Sequence, residues 1–380
     1  MRVHIVDPPA YTPPYDHALC TALAAAGADV ELVTSHFGYG AEEPQHAGYR
    51  RVEAFYRWNI GPTHPPGSRV RRAARLAQHV PDMVRYARRA RGADVVHFQW
   101  LAVQQLDARL LPRRRPRLLT AHDVLPREPR PGQLAGQRRL YEQMDAVVVH
   151  SEHGAERLRG ELGLDPGLVH VIPHGAFHHL AAQPDGAPLP PELPAPRGPV
   201  VLCFGLMRPY KGIDVLLEAW RAAERPEGAE LWLVGMPRMD IADLRASAPA
   251  GVRWVPRFVD GPDLAAVFRA ASLVVLPYRQ IDQSGVLFTA LAFGSPLLLT
   301  AVGGFPEVAA EGAAELVEPG DPDALGAALG RLLADPARLA ELGAAARALG
   351  APGGPHGWDA IARRTLALYA ALGVRDANTR

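Results

Sequence analysis

Lysine is almost missing from this 380-residue chain: of 41 basic side chains only Lys211 is a lysine, and arginine supplies the rest. Cysteine is equally scarce. Cys20 and Cys203 are too few for a disulfide framework and both fall in apolar helix or strand patterns, so a reducing compartment is expected. No run approaches the roughly 18 apolar residues that a membrane-spanning helix needs. The opening Arg2-Val3-His4-Ile5-Val6-Asp7 reads as a strand, with no basic start followed by an apolar stretch and a cleavage site. A cytoplasmic protein is the expectation. Neither sign of charge dominates, since 41 basic against 40 acidic residues leave a formal +1, and no nucleic-acid partner is expected. There is no G-x-G-x-x-G after the first strand of either half, no H-E-x-x-H and no paired-cysteine motif. A dinucleotide cofactor and a bound metal are therefore both disfavoured.

What the chain does have is 48% apolar and 21% charged residues, at a length beyond what one core usually serves. Two domains are expected. Short apolar strands alternate with helical patterns in both halves, the signature of parallel sheets covered by helices. In residues 1–180 the strands are Val3 to Asp7, Val30 to Thr34, Val95 to Gln99, Arg117 to Thr120, Ala146 to His150 and Val169 to Ile172. Helices are expected at Ala18 to Ala26, closed by Gly27, and at Ser151 to Leu162, with Ser151 as N-cap. Residues 181–199 hold seven prolines and read as a semi-rigid linker. The pattern restarts in residues 200–355 with strands at Val200 to Phe204, Glu230 to Val234, Leu273 to Leu276 and Leu297 to Thr300. The fold class is thus α/β, with two Rossmann-like domains facing across a cleft at the carboxyl ends of their strands. A last helix over 358–372 follows a Gly/Pro break and is free to pack back on the first domain.

Chemistry is concentrated in the second half. After the Val200 strand come Gly205, Arg208, Lys211 and Gly212, two cations and a glycine that form a clamp for a diphosphate or, more blandly, a solvated basic turn. A single ammonium enters a narrow phosphate pocket as a point charge, where a planar guanidinium needs more room. After the Leu273 strand, Gln283-Ser284-Gly285-Val286 opens a helix whose first backbone amides and dipole suit an anion. Any ordinary helix also prefers a small polar start. Ala301-Val302-Gly303-Gly304-Phe305-Pro306-Glu307 supplies a third strand-to-helix turn. Asp321-Pro322-Asp323 spells an Asp-x-Asp, but in a turn that leads into a helix, where capping is its expected job.

The order of Gly205-x-x-Arg208-x-Tyr210-Lys211-Gly212, Leu276-Pro277-Tyr278, Gln283-Ser284-Gly285-Val286, Ala290-Leu291-Ala292-Phe293-Gly294-Ser295-Pro296 and Val302-Gly303-Gly304-Phe305-Pro306-Glu307 resembles glycosyltransferase family 4, with the GT-B fold. In the first half, Thr120-Ala121-His122-Asp123 and Ile172-Pro173-His174-Gly175 match, as does Trp358-Asp359-Ala360-Ile361-Ala362 near the C-terminal end, so the likeness is nearly full length. The resemblance implies transfer of a sugar from a nucleoside diphosphate sugar to an acceptor, with retention at the anomeric carbon and without a metal or other cofactor. It implies that Arg208 and Lys211 grip the diphosphate and that Gly205, Gln283, Ser284, Gly285, Val286 and Thr289 surround the nucleotide sugar. His122, from the other domain, would lie near the donor sugar. Two glutamates common in the family are replaced here by Ile281 and Thr289, which is similar to a subset carrying Gln-Ser-Gly-Val, and Leu206 stands where an arginine is usual.

The first domain would hold a small-molecule, glycan or lipid-linked acceptor, with Tyr11, Thr12, Tyr15, His97, Gln99 and Trp100 as its candidate contacts. Irregular loops between Pro8 and His64 would complete the pocket. The arginines between Arg69 and Arg91, interleaved with Leu76, Val80, Met83, Val84 and Tyr86, form either a solvated face or a basic amphipathic helix in peripheral contact with anionic lipid. His174, His178 and His179 cluster without ligand spacing, because Pro173 and Gly175 interrupt it. Two rival functions share the architecture: a nucleotide-sugar epimerase, and a non-catalytic nucleotide-sugar-binding subunit.

Overall fold

The computed structural model describes residues 1–37, 48–58, 69–101, 103–113, 116–126 and 129–374. They form two compact units, one of the described residues up to Pro173 together with those from Trp358 onward, the other His174–Gly357. In the first, strands β1 (Arg2–Asp7), β2 (Asp29–Ser35), β3 (Arg50–Phe55), β4 (Val95–Phe98), β5 (Arg117–Thr120), β6 (Ala146–Val149) and β7 (Val169–Val171) make one parallel sheet ordered β3-β2-β1-β4-β5-β6-β7. In the second, β8 (Val200–Phe204), β9 (Glu230–Val234), β10 (Val252–Val255), β11 (Leu273–Leu276), β12 (Leu297–Thr300) and β13 (Ala314–Val317) are ordered β10-β9-β8-β11-β12-β13, again all parallel. Strand order reverses between β1 and β4 and between β8 and β11. Those are the positions where loops leave the sheet in opposite directions and open a crevice.

The central strands are apolar on both faces because helices cover both, as in β4, β6 and β11, buried throughout. Sequence periodicity misses three strands, β3, β10 and β13, and each is a sheet edge with exposed or charged positions. In β3, Arg50 pairs with the buried Glu31 of the neighbouring strand, a polar contact that no apolar run announces.

The first helix begins at Pro13, five residues before the expected Ala18. Proline at the first helical positions needs no amide partner and brings the right φ, so Pro13-Pro14 starts the helix instead of prolonging the loop. Ser151 and Asp321 cap their helices as expected, accepting from the amides of Gly154 and Ala324 at 3.1 and 2.9 Å. The proline-rich 181–199 segment belongs to the second unit. Arg269 donates to the carbonyls of Ala181, Gln183 and Pro184, and Arg257 pairs with Glu192 at 2.8 Å, so the division falls at Pro173–His174. The helix Trp358–Ala371 packs in the first unit against Pro13–Ala25, where its Tyr369 is fully buried.

Along the helix Arg69–Arg89, Met83 and Tyr86 are buried while Val70, Leu76, Val80 and Val84 are exposed. The side chains of Arg69, Arg71 and Arg72 lie outside the described residues, as do residues 38–47 and 59–68 of the expected acceptor loops. Among the described residues no helix is long and apolar enough to cross a membrane.

Candidate active site

In the second unit the loops after β8 and β11 converge. Beyond β8 the chain passes Gly205, at φ +110°, whose Cα lies so close to the first turn of helix Gly285–Phe293 that an added Cβ would stand 3.1 Å from Val286 Cγ2. It then makes a tight turn over Pro209–Lys211. Lys211 is buried at 8% exposure, a rare place for an ammonium. Its Nζ donates to the Tyr278 hydroxyl and lies 3.8 Å from the centre of that ring and 5.6 Å from that of Tyr210. The phenol of Tyr278, raised well above its ordinary pKa by burial, keeps its proton and lies 3.4 Å from Ser284 Oγ. A chain of contacts thus joins the β8 loop, the end of β11 and the start of the next helix.

Arg279 fastens this arrangement from outside. Its guanidinium makes a forked pair with Asp214 at 2.8 and 2.6 Å and reaches the Pro209 carbonyl, while its own amide donates to Tyr210 O. The guanidinium holds the Asp214 carboxyl below its usual range. Two loops are stapled, and Lys211 sits between the staples. Arg208 is exposed, and its side chain has no ion pair or hydrogen bond among the described residues. Ser284 occupies the N-cap without a side-chain bond to the helix, and the amides of Gly285 and Val286 have no carbonyl one turn back at the positive end of the helix. A buried ammonium, an exposed guanidinium and a helix start are the parts from which a diphosphate site is built. Gln283 is turned inward, its Oε1 accepting from the Ser284 amide at 3.1 Å. Thr289 donates its hydroxyl to Gly285 O at 3.0 Å within its own helix, which leaves only its lone pairs for a ligand.

In the first unit, residues at the ends of β1, β4, β5 and β6 form a polar and aromatic group. Asp7 is wholly buried and its Oδ2 accepts from the amides of Tyr11 and Thr12, which folds the loop back over the sheet. Desolvation pushes that carboxyl above the ordinary range. Trp100 donates to Thr12 Oγ1 at 2.9 Å and stacks on the His122 ring at 5.2 Å. His122 meets Gln99 Oε1 through Nε2 at 3.1 Å and His150 Nε2 through Nδ1 at 3.2 Å. A pocket of 220 Å³ is lined by Tyr11, Gln99, Trp100 and His122 with Gln133 and Tyr141.

Three expected acceptor contacts do not line that pocket: Thr12, whose hydroxyl oxygen accepts from Trp100, and also Tyr15 and His97. Tyr15 is 3% exposed, packed edge-on against His122 and Trp358 and tilted against His150, so its ring is core and not lining. His97 is 2% exposed and bonds Thr120 Oγ1 at 2.8 Å and Tyr369 OH at 2.7 Å, one partner for each ring nitrogen. Burial lowers its pKa to about 3, so it is a neutral link between the sheet and the helix Trp358–Ala371. The sequence places both residues at strand or helix ends but does not show that the last helix would cover them. Tyr278, Arg279 and His150 are the reverse case. Each stands within three residues of the end of an apolar strand, and that position is the signal that marks them. Among the described residues, no group of three or more His, Cys, Asp or Glu side chains is placed to hold a metal ion.

Both halves of the chain match known protein families. Residues 15–176 match the family model described as Glycosyltransferase Family 4, and residues 198–335 match that of glycosyl transferases group 1. A D-inositol 3-phosphate glycosyltransferase from Xylanimonas cellulosilytica is 31% identical over 307 residues, 73% of this chain and 72% of the relative. A GDP-mannose:glycolipid 4-beta-D-mannosyltransferase from Xanthomonas campestris pv. campestris is 29% identical over 54% of this chain, and the match spans 60% of that relative's length. Among solved structures, a sucrose-phosphate synthase from Thermosynechococcus elongatus superposes with a TM-score of 0.75 at 24% identity, covering 98% of this chain and 99% of its own. That likeness shows a shared GT-B fold. With both halves matched in chain order and the Xylanimonas relative covered over most of its length, the chain belongs to the family 4, group 1 glycosyltransferases.

Proposed function

We propose that this protein transfers a hexose from a nucleoside diphosphate sugar to a hydroxyl of an acceptor held in the first unit, with retention and without a metal. The observation that carries the reading is the burial of the only lysine beside Arg208 and the open start of helix Gly285–Phe293. When the bond between the anomeric carbon and the diphosphate oxygen breaks, negative charge grows on that oxygen. Fixed donors aimed at it stabilise the transition state more than the ground state. The cations and the two amides supply what a divalent metal would otherwise supply. Since the Xanthomonas relative is named for GDP-mannose, that donor is the first to test.

The test is a panel of GDP-mannose, UDP-glucose and UDP-N-acetylglucosamine incubated with the protein alone. Slow release of nucleoside diphosphate from one of them is the expected outcome. An altered sugar with no nucleotide release would instead establish an epimerase, and binding without turnover a non-catalytic subunit.

The same reading extends to an acceptor drawn from a membrane surface. Val80 and Val84 lie exposed on the helix Arg69–Arg89, and Val84 borders a groove rimmed by Arg88, Arg91, Arg109 and Arg113. Apolar side chains flanked by guanidinium groups suit an anionic bilayer. Flotation with vesicles of phosphatidylcholine and phosphatidylglycerol should carry the protein at low salt and release it at high salt. Equal binding to pure phosphatidylcholine vesicles would refute this extension.

A further inference from the structure

Around His122 the hydrogen bonds can be followed from a fixed end. The Ile172 carbonyl can only accept, and it lies 3.0 Å from His150 Nδ1, so that nitrogen carries a proton. His150 is buried and its pKa is lowered to about 4, so near neutral pH the ring holds one proton and its Nε2 is a bare acceptor. The atom facing that acceptor at 3.2 Å is His122 Nδ1, which must therefore carry the proton between them. In neutral His122 the other nitrogen, Nε2, is then a lone pair. It faces the carboxamide of Gln99, whose own amide nitrogen is fully buried and has no partner. A half-turn of that carboxamide exchanges its oxygen and nitrogen at almost no steric cost. The nitrogen then donates to His122, and the oxygen takes the position that was left unmatched.

We propose that His150 is a positioning residue that holds His122 as its Nδ1–H tautomer, so that Gln99 donates its amide to His122. The ring has little freedom to escape this assignment, because Trp100 stacks on one face at 5.2 Å and Tyr15 meets it edge-on at 4.7 Å. The consequence is a fixed direction of hydrogen bonding: Gln99 donates, and His122 is held with its proton pointing away from Gln99 and toward His150.

The deciding experiment is a two-bond nitrogen–hydrogen NMR spectrum of the full chain labelled with ¹⁵N-histidine, recorded at pH 7.5. His122 should show a protonated Nδ1 and a bare Nε2. Protonation at Nε2, alone or together with Nδ1, overturns the assignment. In His150→Phe the acceptor is gone, and the His122 signals should move toward the Nε2–H form; in His150→Gln the amide can still donate to Ile172 O and accept from His122, so the wild-type pattern should return. The activity arm rests on the transfer reading. Donor hydrolysis should fall by about tenfold in kcat with an unchanged donor KM in the Phe variant, and recover to within roughly threefold in the Gln variant. A wild-type protein that shows the predicted tautomer yet turns over no donor would refute the transfer reading and leave the relay standing. If the Phe variant fails to fold, the wild-type and Gln spectra still decide.

Discussion

Lys211→Ala is expected to reduce donor turnover by on the order of 10²- to 10³-fold while leaving the protein as stable as before, or slightly more stable. The two halves of that expectation separate a catalytic lysine from a structural one. An ammonium at 8% exposure that donates to the Tyr278 phenol has given up most of its hydration. Keeping it there costs stability, so removing it should not lower the melting temperature, provided the space between Tyr210 and Tyr278 closes or takes up water. A developing diphosphate charge, by contrast, would find the ammonium already oriented and already desolvated. Lys211→Arg should recover little of the loss. The guanidinium is wider than the slot beside the Tyr278 ring, where Nζ lies 3.8 Å from the ring centre, and its planar fork would displace the Tyr278 hydroxyl that bridges toward Ser284. Thermal unfolding and donor hydrolysis measured on the same preparations decide the matter. Near-normal turnover in either variant would remove Lys211 from the chemistry, and a fall in melting temperature with proportionate loss of activity would make it a structural residue.

That lysine was legible in the sequence because its residue type is unique and its neighbours sit at a strand end. The central strands were legible for a similar reason, since burial on both faces leaves unbroken apolar runs such as Leu273–Leu276. The edge strands β3, β10 and β13 were not, because a strand half open to solvent keeps its polar residues and loses the signal. At the candidate site, strand ends could be located but side-chain direction could not. Gln99 and His97 lie two residues apart at the end of β4, yet one lines a pocket and the other is sealed by Tyr369, a residue 272 positions away. Nor could sequence show that Thr289 turns its hydroxyl onto its own helix, or that Arg279 and Asp214 staple two loops 65 residues apart. Long-range partners of this kind are created by the fold. Residue type and spacing predict which strand ends carry chemistry, and packing then selects among the residues found there.

Gly212→Ala should cost more than about 4 kcal/mol, or leave the second unit unable to fold, although it adds a single methyl group. The position has φ +66°, where a Cβ carries a penalty of roughly 1–2 kcal/mol for conformation alone. The larger part comes from what the methyl would meet. A Cβ built there lies 2.0 Å from the carbonyl oxygen of Pro277 and 3.1 Å from its carbon, and both are backbone atoms at the end of β11 that no rotamer change can move. The β8 loop would have to lift away from β11. In doing so it would separate the Arg279 amide from Tyr210 O and the Lys211 ammonium from Tyr278, so any folded fraction should also bind nucleotide poorly. Gly320→Ala is the matched control in the same unit: its φ of +78° imposes a similar conformational penalty, but nothing lies within 4 Å of the added methyl. Urea unfolding of the pair should show the control losing about 1 kcal/mol and Gly212→Ala several times more. Equal losses would mean that the two loops do not press together as described, and the packing that buries Lys211 would lose its physical cause.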